Sequence, residues 1–267
     1  MKSSPWKLIL LAGTFALCGA LSAKTAAPAE TKPAAETVEA GSPEAQYALG
    51  VECLRTDDPA GAAKHFRIAA ERGHAMSQFN MGVFCQNGWG GVKIDLKAAA
   101  EFFRKAAVQG NVPAQSFLGA CYALGRGVKQ DFEQAAFWFR KAAEQGDVRA
   151  RFGLGALYLE GWGVPKDPKQ AVFWFRKAAE QGDPYAQFKL GVCHYLGEGV
   201  EKDLKLAAEL FRKAAEHGDA EAQHNLGVCY CNGEGVEKDP KLAAFWFRKA
   251  AEQGHEPAKE ALKTLGQ

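Results

Sequence analysis

From Phe132 to Gln145 the apolar residues fall at Phe132, Ala135, Ala136, Phe139, Ala142 and Ala143, with Trp138 beside them. Steps of three and four place these side chains on one face of a helix, and Glu133, Arg140, Lys141 and Glu144 on the other. The pattern predicts an amphipathic helix, termed helix B. Upstream, Ala114, Leu118, Cys121 and Tyr122 mark a second stripe, helix A, with Gly119 at its edge. A glycine inside a helix costs about 1 kcal/mol against alanine. Its recurrence in every repeat therefore implies a neighbouring helix passing close.

The phrase recurs along the chain. FWFRKAAEQGD stands at 137–147 and again at 173–183. Its arginine sits at Arg67, Arg104, Arg140, Arg176, Arg212 and Arg248, and after one interval of 37 every step is 36. Gly82, Gly119, Gly155, Gly191 and Gly227 keep the same beat, with Gly50 only 32 residues ahead of Gly82.

Between A and B runs Gly-x-Gly-Val, as at Gly125 to Val128 and Gly161 to Val164, with one extra residue at Gly88 to Val92. Its first glycine suits the left-handed cap of helix A. Asp95, Asp131, Asp167, Asp203 and Asp239 then precede helix B, where a carboxylate accepts from the free N–H groups of the first turn. Gln134 and Gln170 stand three residues on and predict a capping box. Pro168 and Pro240 fit the first helical position. Phosphate-binding loops are also glycine-rich, but that fingerprint needs a preceding strand, and this loop repeats in step with helices.

One hairpin cannot bury its own stripe, so neighbours must stack. The expected fold is all-α: a right-handed α-solenoid, or superhelix, of about six helix-turn-helix repeats. Their expected ranges are 44–73, 74–110, 111–146, 147–182, 183–218 and 219–254, closed by a cap at 255–267. The cap helix carries Lys259, Glu260 and Lys263 to solvent.

Residues 114–146 carry Ala114, Leu118-Gly119, Tyr122, Gly125, Gly127-Val128, Asp131, Ala135, Trp138, Ala142-Ala143 and Gly146. In this the chain resembles the Sel1-like repeat family, relatives of the tetratricopeptide repeat, over about residues 44–265. The first unit departs, because CLRTDDPAGAAKHF lacks the Gly-x-Gly-Val loop. The resemblance implies an interaction scaffold, often secreted or periplasmic in bacteria, or a signalling adaptor. It also implies an alternative. Cysteine-rich members have been linked to binding and hydrolysing β-lactams, and an envelope enzyme or binder of β-lactam or peptidoglycan-like ligands would follow. Those members resemble proteins stapled in each repeat by a disulfide, and the corresponding positions here hold alanines such as Ala143 and Ala150. Ser-x-x-Lys occurs only at Ser4 to Lys7, and Lys263-Thr264 is followed by Leu265, not glycine. No catalytic residue is assigned.

The chain has 267 residues, 47% hydrophobic and 24% charged, which suffices for a core. The net charge of +2 is scattered, so neither nucleic acid nor an anionic membrane is an expected partner. Lys2 and Lys7 precede an uncharged run from Leu8 to Leu21, ending in Leu21-Ser22-Ala23. The run is about 14 residues, short of the ~20 of a spanning helix, so this reads as a secretory signal cleaved after Ala23, giving a periplasmic or secreted protein with no membrane span; the alternative is an N-terminal membrane anchor. Lys24 to Pro43, rich in Ala, Pro, Glu and Thr, reads as a flexible linker.

Six cysteines follow the signal: Cys53, Cys85, Cys121, Cys193, Cys229 and Cys231. Equivalent cysteines on stacked helices lie beyond the ~7 Å Cα limit for a bridge, so mainly buried free thiols are expected. Cys53 with Cys85 in the irregular first repeats is the pair most open to bonding, and Cys231 the most exposed thiol. Cys193-His194 and His224 lack ligand spacing, so no metal or other cofactor is expected. His194 stands where other repeats have Tyr122, Tyr158 and Tyr230 and reads as a packing residue; His74 and His255 read as caps.

A protein or peptide partner is expected on the concave face of the A helices. Tyr47, Phe79, Phe152 and Phe188 stand there in equivalent places, with Asn80, Lys189 and Asn225 beside them. The rings either anchor a partner segment or close the gap between neighbouring A helices. On helix B, Phe137, Phe173 and Phe245 point away from the stripe, where other repeats have Lys64, Glu101 and Glu209. This convex row suits contact with a partner or self-association.

Overall fold

The computed structural model describes residues 41–266. The expected leader at 1–23 and almost all of the linker at 24–43 lie outside them. The described residues hold thirteen α-helices and no strand. They divide into two compact units, broken between Ala150 and Arg151.

The first unit holds α1 (Pro43–Arg55), α2 (Pro59–Glu71), α3 (Ala75–Asn87), α4 (Leu96–Val108), α5 (Val112–Leu124) and α6 (Phe132–Glu144). The division falls within α7 (Val148–Glu160). The second unit continues with α8 (Pro168–Ala179), α9 (Pro184–Leu196), α10 (Leu204–Glu216), α11 (Ala220–Asn232), α12 (Pro240–Glu252) and α13 (Glu256–Thr264). Within each unit every helix packs on its successor, from α1 to α6 and from α8 to α13. Odd-numbered helices are of the A type and even-numbered ones of the B type. Six hairpins and a terminal helix thus make the all-α solenoid that the periodicity predicts.

The packing logic is a glycine against a phenylalanine. A Cβ placed on Gly50, Gly82, Gly119, Gly155, Gly191 or Gly227 would come within 2.5–2.8 Å of a ring carbon of Phe66, Phe103, Phe139, Phe175, Phe211 or Phe247, respectively. The close neighbour is the B helix of the same hairpin. The six rings are 0–2% exposed, and alanines such as Ala99, Ala135 and Ala207, at 0–1%, let the helices approach.

Aspartate caps stand where the loops predict them. The Oδ1 atoms of Asp95, Asp131, Asp167, Asp203 and Asp239 accept from backbone N–H groups three residues on, at 2.9–3.1 Å. The capping boxes do not form. The N–H groups of Asp131 and Asp167, which Gln134 and Gln170 were expected to satisfy, donate instead to the carbonyls of Tyr122 and Tyr158, and the N–H groups of Asp95, Asp203 and Asp239 likewise donate to a carbonyl in the preceding A helix, all at 2.8–3.0 Å. His74 and His255 cap α3 and α13, each accepting an N–H at Nδ1 at 3.2 Å.

The second loop glycine joins one repeat to the next. Gly127, Gly199 and Gly235 hold φ of +72°, +75° and +73°. A Cβ there would collide with the backbone carbonyl that opens the previous B helix, at Leu96, Pro168 and Leu204. In the irregular second loop Gly90 does this against Pro59, and the extra residue forms a 3-10 turn at Trp89–Gly91.

A buried glutamine adds a polar tie. Gln78, Gln115 and Gln223 donate to the carbonyls of Ala70, Ala107 and Ala215 at 3.1–3.2 Å. Each accepts in turn from Gln109, Gln145 or Gln253 at 2.7–2.9 Å. In the fifth repeat His217 replaces the second glutamine, and the buried Oε1 of Gln187 has no partner among the described residues.

Candidate functional site

The A-helix rings are anchored from beneath. Tyr47 packs 5.9 Å from Phe66 and 4.7 Å from His74; Phe79 lies 5.9 Å from Phe103 and 5.4 Å from Phe117. Phe117 also lies 5.1 Å from Phe103, and its neighbour Ser116, which stands where the other repeats have a ring, is 3% exposed. In the second unit Phe152 lies 5.8 Å from Phe175, and Phe188 lies 5.9 Å from Phe211. Tyr47, Phe79 and Phe188 keep part of their surface in solvent, whereas Phe152 is 5% exposed and belongs to the packing.

Their polar neighbours flank them. Lys189 Nζ stands 5.6 Å from the Phe188 ring centroid, and Asn225 donates to the Glu221 carbonyl at 2.9 Å. Asn80, on α3, is half-buried. In the sixth repeat His224 takes the ring position, 5.4 Å from Phe247 and 4.9 Å from His255. It belongs to the same set and escapes a search for hydrophobic rings because it is read as a lone histidine.

On the B helices Phe137, Phe173 and Phe245 are 43–46% exposed. Each stands edge-on to the adjacent tryptophan at 5.0–5.1 Å. A lysine four residues on, Lys141, Lys177 or Lys249, lies 4.9–5.0 Å over each ring. The repeated FWFRK phrase therefore encodes a local cation–π stack.

Ser77 Oγ and His74 Nδ1 lie 2.9 Å apart, but Ser77 is fully buried and the same Nδ1 accepts the Ser77 N–H as the cap of α3, so no substrate reaches this pair. Of the other described serines, Ser42 caps α1 and Ser116 is buried. Burial pushes the thiol of Cys121 up to about 12, and those of Cys193 and Cys229 to about 11, so they stay protonated at neutral pH. All six described cysteines are free, with Cys53 and Cys231 the least buried. No cluster of three His, Cys, Asp or Glu side chains suited to a metal occurs among the described residues. No described helix is long and apolar enough to cross a membrane.

The Sel1 repeat family model matches six consecutive segments: 43–74, 75–111, 112–147, 148–183, 184–219 and 220–255. A Sel1 repeat protein from Oxalobacter formigenes is similar in structure, with a TM-score of 0.76 and 32% identity over 83% of this chain and 88% of that one. A protective antigen of uropathogenic Escherichia coli with an SLR fold is similar at a TM-score of 0.76 and 36% identity, covering 84% of this chain but 48% of that one. The DAP3-binding cell death enhancer 1 of Rattus norvegicus is 37% identical over 87 residues, which are 31% of this chain and 16% of that protein.

Proposed function

The chain belongs to the Sel1 repeat family, and from that premise we propose that it is a non-catalytic scaffold binding a protein or peptide on its A-helix surface. Tyr47, Phe79 and Asn80 serve in the first unit, and Phe188, Lys189 and Asn225 in the second. The observation that carries this reading is the anchoring of half-exposed rings on the buried phenylalanine of their own hairpin. A ring held in place before binding loses little freedom on contact, and an aromatic anchor set among polar neighbours suits an extended or helical segment. Phe152 supports the surface from within. The sequence from Met1 to Ala23, with its two lysines and uncharged run, has the pattern of a secretory leader and supports a place in the cell envelope or outside it.

Affinity capture from the native cell tests this. Lys189→Glu and Phe188→Ala are each expected to deplete the same captured protein by about tenfold, while Phe137→Ala keeps it. Identical capture by all variants would remove the A-helix surface from consideration.

A further inference from the structure

An arginine–tyrosine pair links helix B of one repeat to helix A of the next. Arg104 donates to the Tyr122 hydroxyl at 3.4 Å, and Arg212 to that of Tyr230 at 2.9 Å. Two repeats hold a smaller side chain in the tyrosine's place, Cys85 opposite Arg67 and His194 opposite Arg176. At both, a groove stands open.

The groove at His194 lies wholly in the second unit and has a volume of about 820 Å³. Gly235 closes one side, its backbone lying against the carbonyl of Leu204 at the start of α10. His194 lines the groove, is 7% exposed, and has no hydrogen-bond partner among the described residues on either ring nitrogen. A buried polar group without a partner is costly, so such groups mark a place where something else completes the bonding. The Arg176 guanidinium, which the missing tyrosine would have engaged, has no hydrogen bond or ion pair with the described residues. Arg176, Lys202 and Lys205 face Glu201 and Asp203, three cations against two acids. Asp203 is occupied as the cap of α10. The surplus is one positive charge, which matches a monoanion and not a phosphate dianion.

We propose that the Arg176–His194 groove is a carboxylate site for an acidic side chain or a chain terminus of a partner. Arg176 supplies the charge and a fork of N–H donors that fits a carboxylate's two oxygens. His194 supplies a ring N–H that no described residue engages. The site shares no residue with the A-helix rings and does not depend on them.

The purified full chain is titrated with three blocked tripeptides while the amide NMR signals of Leu204 and Gly235 are followed. One is amidated Gly-Glu-Gly, one is Gly-Gly-Ala with a free C-terminus, and one is amidated Gly-Gln-Gly as the neutral control. At least one carboxylate peptide is expected to give a saturable shift, with the glutamine control about tenfold weaker or worse. Which carboxylate binds assigns the side-chain or the terminal source. Arg176→Gln should weaken binding about tenfold. His194→Tyr should do the same while keeping the fold, because it installs the pair already present at Arg212 and Tyr230. If His194→Tyr does not fold, Arg176→Gln decides alone. No saturable shift with either carboxylate, equal binding of the control, or full affinity in Arg176→Gln overturns the proposal.

Discussion

A single amide shows how finely the repeat is tuned. Gln187 donates to the Ala179 carbonyl at 3.4 Å, but its Oε1 is buried and unpartnered because His217 stands where Gln109, Gln145 and Gln253 stand elsewhere. His217→Gln would supply the missing donor. The expected gain is about 1 kcal/mol, or about 2–4 °C in melting temperature, read by thermal unfolding monitored by circular dichroism. The same substitution logic run backwards, Gln253→His, should destabilise by a similar amount because it leaves Gln223 in the state of Gln187.

Titration belongs to the same scale. Burial lowers His74 below its ordinary value of 6.5, against a weaker opposing pull from Glu44. Burial also lowers His224, helped by His255 and opposed by Glu221. A depressed histidine means that the unfolded chain takes up the proton first. Stability is therefore complete above about pH 6.5 and falls as the pH drops from there toward the folded-state values. Asp183 and Asp219 act in the opposite sense, because burial raises them, and their contribution enters only toward the carboxylate range. The expected result is a lower urea midpoint at pH 5.5 than at pH 7.5. His74→Asn keeps a cap of the kind Asn111 provides to α5 and should reduce that drop. An unchanged drop in His74→Asn would place the effect elsewhere.

At the scale of the element, the hairpin was legible and its fine bonding was not. Spacing, the left-handed glycine and the capping aspartate identify helices A and B because each depends on a few neighbouring residues. The capping box at Gln134 and Gln170 failed because the N–H it would satisfy already has a tertiary acceptor, the carbonyl of Tyr122 or Tyr158. Gln134→Ala should consequently leave the melting temperature within about 1 °C of the wild type, whereas Asp131→Ala costs about 1 kcal/mol. The glutamine tie was also missed, although Gln78, Gln115, Gln187 and Gln223 recur in the repeat's own rhythm. A glutamine on an amphipathic helix reads as solvated until the facing carbonyl is known. The candidate surface was legible in its ring positions, while the burial of Phe152 depends on Phe175 and Tyr185, whose proximity no spacing along one helix reveals.

For the whole molecule, stability is carried between nearest neighbours, and the terminal helix is the most informative place to disturb it. Helix α13 covers α12: Ala258 is fully buried in one cluster with Ala243, Phe247 and Ala250, and Leu262 and Leu265 pack against that cluster. Ending the chain at Gln253 would expose this face and remove the His255 cap together with the His224 stack. In a linear array the penalty falls first on the last hairpin and fades with distance, because each repeat touches only its neighbours. Amide hydrogen exchange in the truncated chain should therefore speed up most in α11 and α12, less in α9 and α10, and not at all in α1 to α6. Uniform acceleration would mean that the repeats unfold as one block, and the separation at Ala150 and Arg151 would then mark no energetic boundary.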